Sequence, residues 1–297
     1  MSIRFNPDLY ANIVAGLNSN NIQQSNAMAE LSTGRRVQAP SDDPSATADV
    51  INVHWQSAQM DQYSQNVNNL QGLLQTADAT MSSVITSLNQ AISVGVQAGD
   101  STLSPANRGT LATQLQNISK QILTLSNTSY QGTYIFAGTK SNQPAYVANP
   151  LSPNGVTYQG NTNSNSVEVA PGQSINMNVP GTQLFTNPAG DVFAALTNMA
   201  QAAASGNGIP AAVDQLKTAF DTANAQRTQY GTSLSQLQTA QTFLSTNKLQ
   251  LSIQENNAVG IDLAQAASDV QKALTQRSAI LAAGGKIQNT SLLDYLQ

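Results

Sequence analysis

The sequence predicts a mainly α protein: an elongated antiparallel helical coiled-coil bundle with a small inserted all-β domain and two terminal helical arms. Three observations predict it. Apolar residues recur every three or four positions over long proline-free stretches, prolines and glycines crowd into one central window, and both ends carry weak amphipathic patterns.

The longest pattern sets the rest. Met60, Tyr63, Val67, Leu70, Leu74, Ala77, Met81, Val84, Leu88 and Ala91 alternate in steps of three and four, separated mostly by Gln, Asn, Ser, Thr and Asp. A seam repeating every 3.5 residues lies along one side of a helix and needs a partner helix to cover it. No proline falls between Pro44 and Pro105, so one helix is expected over residues 45–98. At 1.5 Å per residue it is roughly 80 Å long. A compact ball of this chain length is only about 50 Å across. The expectation is a rod, with a function that uses length.

The elements follow in order. Residues 1–44 form an N-terminal arm helix and a connecting loop. Leu9, Ile13 and Leu17 share a face, but Asn20, Asn21 and Gln24 interrupt it before Met28 and Leu31 resume. Short helices gain most of their stability from packing, so this arm is expected to be loose in a free subunit and ordered by neighbours. Gly34 ends it, Ser41 or Asp42 is the expected cap of the next helix, and Pro44 suits that helix's first turn. Residues 45–131 are the N-terminal part of the rod. Gly95, Gly99 and Asp100 are expected to end its long helix. Ser104-Pro105 opens another, with Leu111, Leu115, Ile118, Ile122 and Leu125 in the same alternation.

Residues 132–190 hold six of the eleven prolines and five short β-type runs: 134–137, 145–147, 156–158, 166–169 and 175–179. Spaced short strands with turn residues between them indicate an inserted all-β domain. Residues 191–246 return to helix, with Val213, Leu216, Phe220, Ala223, Arg227, Tyr230, Leu234, Leu237, Gln241 and Leu244 as the seam. Residues 247–297 are the C-terminal arm, carrying Val259, Leu263, Ala266, Val270, Ala273, Ile280 and Ile287 before the apolar ending SLLDYLQ. If the bundle is antiparallel, both arms emerge on one side, where they can pair with each other and with neighbouring copies.

Composition narrows function. Only 9% of residues are charged against about 25% in ordinary soluble proteins, and Asn and Gln make up about a fifth of the chain. Two readings stand: a surface that repels its own copies weakly and so stacks, or a solvated helical surface rich in amides. The formal charge of −4, with no basic cluster beyond Arg35-Arg36, argues against nucleic acid and against an anionic membrane. Without cysteine there are neither disulfides nor thiolate metal sites. The N-terminus lacks the basic region, apolar run and cleavage site of a secretory signal, and no apolar run reaches membrane-spanning length. Export, if it occurs, uses another route.

Catalytic, cofactor and metal residues are not expected. His54 is the single histidine, so no His-based catalytic pair or multi-histidine metal site can be built. Trp55 beside it is either a subunit anchor or a half-buried structural residue. Asp42 and Asp43 are better explained as helix-start carboxylates than as an acid–base pair or a hard-cation site. Arg35 and Arg36 either meet a partner, pair with those aspartates, or stay solvated.

The order of arm, rod, β insert, rod and arm resembles the flagellin superfamily. ELSTGRRVQAPSDDPSATAD (Glu30–Asp49) is similar to its N-terminal signature. GTYIFAGTKSNQPAY (Gly132–Tyr146), Thr157–Phe185 and the ending SLLDYL (Ser291–Leu296) resemble its hook–filament junction branch more than filament flagellin. The resemblance implies a structural, non-enzymatic protein of the extracellular bacterial flagellum, exported uncleaved through the type III channel. It implies homo-oligomeric packing, a hook-associated protein on the hook side, flagellin on the filament side, and a cytoplasmic chaperone at the C-terminal arm. Joined to the periodicity, it places Leu9, Ile13 and Leu17 against Val259, Leu263, Val270 and Ile280 in an inner tube of helices. The alternatives are filament flagellin, a type III-secreted adhesin and, more remotely, an enzyme in the β insert.

Overall fold

The computed structural model describes residues 7–293, with side chains from 11 to 286. The expected contacts of Leu9 and Ile287 and the ending 294–297 lie outside the described side chains. The chain divides into two compact units, one of residues 60–246 and one built from the segments before 60 and after 246. Both long helices contribute to each unit.

The larger unit starts with α2 (Pro44–Ala98), which enters it at Met60, followed by α3 (Pro105–Ser126). Ser104 caps α3 by accepting from the Asn107 amide at 3.2 Å, with Pro105 in the first turn. The chain returns through α5 (Val192–Ser205) and α6 (Ile209–Val259). α2 and α6 run antiparallel: Ser64 pairs with Gln241, Asp78 with Arg227, and Gly95 meets Val213, so numbering climbs on one helix as it falls on the other. Between them Val67, Leu70, Leu74, Ala77, Met81, Val84, Leu88 and Ala91 are buried, and Met60 and Tyr63 are half-buried against the same core. Gly95 does not end α2. It is a hole in the helix surface, where an added Cβ would stand 3.0 Å from the Met199 sulfur. The helix runs on to Ala98.

The seam is not wholly apolar. Arg227 forks onto Asp78 at 2.9 and 3.3 Å, which holds its guanidinium above the usual range. Tyr230 is fully buried beside this pair, its hydroxyl has no hydrogen-bond partner, and burial raises its phenol.

The central window forms strands, but in four separate two-stranded antiparallel ladders and not one sheet. These are β1 (Ser129–Tyr130) with β2 (Thr133–Tyr134), β3 (Tyr146–Ala148) with β4 (Val156–Tyr158), β5 (Ser166–Ala170) with β6 (Gln173–Asn176), and β7 (Thr186–Asn187) with β8 (Gly190–Asp191); a four-residue helix, α4 (Gly181–Leu184), precedes β7. Ladders this short cannot enclose a core of their own. Their aromatics share the bundle's core instead: Tyr146 packs against Phe193 of α5 at 5.3 Å between ring centres, and Phe136 meets Phe185 edge-on at 5.3 Å. Asn127, just past α3, exchanges two 2.8 Å hydrogen bonds with the Tyr146 backbone and ties β3 to the helix end. The insert is therefore an outgrowth of the helical unit.

Leu88 is fully buried. Leu88→Ala is expected to lower unfolding free energy in urea by about 2–5 kcal/mol; a loss near zero would mean that the seam is not close-packed there.

Candidate assembly interface

The two ends of the chain meet in the smaller unit. α1 (Pro7–Thr33) and α7 (Leu263–Leu293) pack side by side and antiparallel. Ile13 lies over Gly284, 3.7 Å from where a Cβ on that glycine would stand, and Ile280 lies over Gly16 at 3.9 Å. Farther along, Arg277 donates to Gln24 at 3.5 Å. Glycines facing isoleucines let two helices approach closely, at the price of little buried area. The sequence leaves the arms two partners, each other and the arms of neighbouring copies. Here each is helical against the other arm of its own chain.

The pair's centre is polar. Asn20 is buried, donating to the Ala273 carbonyl at 3.0 Å and to Gln276 at 3.3 Å, while its own oxygen has no partner. A buried asparagine in a helical seam fixes register at a cost in stability. Among the described side chains, the other buried residues of the pair are Ala27, Ala266 and Ala273. Larger apolar side chains point outward: Val14, Ile22 and Met28 on α1, and Leu263, Leu274 and Leu281 on α7.

Of the residues expected at an assembly face, Ile13, Leu17, Val270 and Ile280 are half-buried, and Leu263 is 63% exposed. Val259 differs. It is buried with Val37 and Ala46, with Val50 and Ala258 packed against them. This valine closes the chain's own joint.

That joint explains the charged motif of residues 34–43. Gly34 takes a positive φ of 69° and donates to Glu30, ending α1. The chain then pairs briefly with the turn after α6: Arg36 N–H donates to the Val259 carbonyl at 2.7 Å and Ile261 N–H to Gly34 at 3.2 Å. Arg35 pairs with Glu255, whose same oxygen meets His54 Nε2 at 3.1 Å. Arg36 bridges Asp43 at 3.1 Å and the Ala258 carbonyl at 3.0 Å. Asp43, and not Ser41 or Asp42, caps α2 through the Ala46 amide; Asp42 instead holds the preceding turn by accepting from Ala39 and Gln38. These amides hold Asp42 below the usual carboxylate range, and the Ala46 amide with the Arg36 guanidinium does the same for Asp43.

Beyond the joint, the first turns of α2 and the last turns of α6 form a two-helix ribbon. Val53 and Leu251 are its buried positions. Ile51 and Trp55 flank Val53 by two residues each way, as Leu249 and Ile253 flank Leu251. Such spacing turns both pairs to the outer backs of their helices. Ile51, Trp55 and Leu249 are each 63% exposed, and Ile253 is 43% exposed. Among the described side chains, ten of the fourteen exposed large hydrophobics lie in this smaller unit. That concentration marks an interaction surface, since singly scattered ones carry no meaning. The periodicity missed Ile51, Leu249 and Ile253; their signal was an apolar pair out of phase with the seam.

A groove of 620 Å³ between α2 and α3 is lined by Thr86, Asn89, Gln90, Ser93, Gln114 and Asn117 with Val94 and Ile118, none of them titratable. It holds nothing for acid–base or nucleophilic chemistry.

Two outcomes are expected. Asn20→Leu should raise the urea stability of the arm helices by about 1 kcal/mol while relaxing their register; a loss in circular-dichroism melts would contradict this. Asp42 and Asp43 bind protons more weakly folded than unfolded, so their contribution is complete above the ordinary value of 3.8 and is lost as pH falls below it. Cleavage of residues 34–43 by an acid-active protease should therefore rise below that pH in the parent and be high already above it in Asp43→Asn.

Residues 8–141 match the bacterial flagellin N-terminal helical region. Over 280 residues the chain is 28% identical to flagellar hook-associated protein 3 of Salmonella typhimurium, spanning 86% of this chain and 87% of that one. Flagellin B of Helicobacter pylori is 30% identical over 146 residues, 48% of this chain but 28% of its own length. The flagellar junction protein FlgL of Legionella pneumophila shares the fold, with a TM-score of 0.60 at 16% identity over 71% of this chain and 99% of that one. The N-terminal match and the similarity over 86% of the chain agree: the chain is similar to the flagellin helical region in its first half and to hook-associated protein 3 along most of its length.

Proposed function

We propose that this structural, non-enzymatic flagellar protein forms the junction between hook and filament and adapts one to the other through helical subunit packing. The observation that carries the reading is the crowding of exposed apolar side chains onto the smaller unit. Neighbouring copies cover Val14, Ile22 and Met28 of α1 and Leu263, Leu274 and Leu281 of α7. The Ile51–Trp55 and Leu249–Ile253 backs meet unlike faces of adjacent copies, the arrangement that closes rings or continues helices. A hook-associated protein covers the hook side and flagellin the filament side. Before export, a chaperone shields the C-terminal arm. The subunit leaves without a cleaved signal; no described helix is long and apolar enough to cross a membrane. Filament flagellin is the weaker reading, because the similarity to hook-associated protein 3 runs through 87% of that relative and the similarity to flagellin B through only 28%.

Immunogold labelling of intact flagella should give a single band at the end of the hook. Label along the whole filament, or none on flagella, would refute the proposal. Deleting residues 1–30 or 268–297 should abolish incorporation while the bundle stays folded. Trp55→Asp should reduce incorporation without lowering the melting temperature of the free subunit; normal junctions would contradict a covered Trp55.

A further inference from the structure

The chain contains two Asn-Gly pairs, Asn154-Gly155 and Asn207-Gly208, and the fold treats them oppositely. Asn154 is held at both ends of its carboxamide: Nδ2 donates to Asp191 at 3.1 Å, and Oδ1 accepts from the Ser152 hydroxyl at 2.7 Å. The Gly155 amide is also occupied, donating to the Ser152 carbonyl at 2.9 Å. Asn207 sits exposed in the three-residue link between α5 and α6, flanked by Gly206 and Gly208 at φ of 78° and 72°. Its backbone N–H reaches the Ser205 hydroxyl at 3.3 Å, and among the described residues no hydrogen bond restrains its carboxamide or the Gly208 amide. Glycine flanks leave this stretch the widest backbone freedom a chain can have.

We propose that Asn207 is a site of spontaneous deamidation. The Gly208 amide nitrogen, having lost its proton to base, attacks Cγ of Asn207, unhindered by any Cβ on the glycine. A new C–N bond closes a five-membered succinimide as the Cγ–Nδ2 bond breaks and ammonia leaves with the proton. Water then opens the ring at either carbonyl, giving aspartate or isoaspartate. The product is one negative charge at the start of the 51-residue helix α6, where the helix dipole favours an anion. A cation already waits there. The Arg108 guanidinium of α3 lies so close against Gly206 that a methyl on that glycine would overlap it. Among the described residues Arg108 forms no direct ion pair; behind the Thr102 amide and hydroxyl, its charge contributes to holding Asp100 below the usual carboxylate range. The new carboxylate, one residue from Gly206, gains Arg108 as a partner and fastens the α5–α6 link to α3.

The test ages the purified full chain in mildly alkaline buffer and maps deamidated peptides by mass spectrometry. Asn207 should convert about tenfold or more faster than Asn154, which its hydrogen bonds protect. Equal rates, or no conversion at Asn207, would overturn the proposal. In strong urea the two rates should converge; a persisting gap would show that the fold is not the cause. Asn207→Asp should raise the melting temperature by about 1–2 °C, and that gain should vanish in an Arg108→Gln background. A gain that survives loss of Arg108 would remove the arginine from the account.

Discussion

A helix that pairs with one partner can bury only one stripe, and among the described side chains of the arms the buried positions are alanines and a single asparagine, with Ile13, Leu17, Val270 and Ile280 only half-buried. Everything else about the smaller unit follows from this choice. Burying a leucine contributes about 1.5–3 kcal/mol, while each methyl-sized group contributes about 0.8. Ordering the backbone costs about 1–2 kcal/mol per residue. A seam of Ala27, Ala266 and Ala273 around a half-satisfied Asn20 therefore holds its helices only marginally, while the leucines and isoleucines on the outer faces remain free to be buried by other chains. Under the proposed junction role, assembly is the step that makes the arms stable.

The larger unit spends its residues the other way. Its α2–α6 seam buries leucine, valine and methionine from Val67 to Ala91, and the hairpins lend it their aromatics. The polar exceptions, Asp78 with Arg227 and the buried Tyr230, set register within a seam that is otherwise well covered. A unit that satisfies its own apolar surface folds without help, and the exposed apolar surface is left where neighbours are required.

The long helices were legible because a 3.5-residue repeat constrains every position for many turns. Val67 through Leu88 are buried as a single stripe for that reason. Local exceptions were not legible. Gly95 reads as a helix stop by propensity, yet Met199 fills the space beside it, a contact between residues far apart in sequence. The β runs were visible, but their division into four ladders depends on a core borrowed from α5, which no local pattern encodes. In the candidate interface, Val259 fits the arm's apolar phase, but the turn at Gly260 gives it to the joint. Ile51 and Leu249 were passed over because they fall outside the seam, and that is what leaves them available.

Hydrogen exchange on the dilute free subunit tests the central claim most directly. The account predicts fast exchange over residues 11–31 and 264–286, slow exchange over 67–91, and marked slowing of the arms once flagellar junctions have assembled. Arms as protected in the solitary subunit as the α2 seam would contradict it, for then the arms' own seam would suffice and neighbours would add no order.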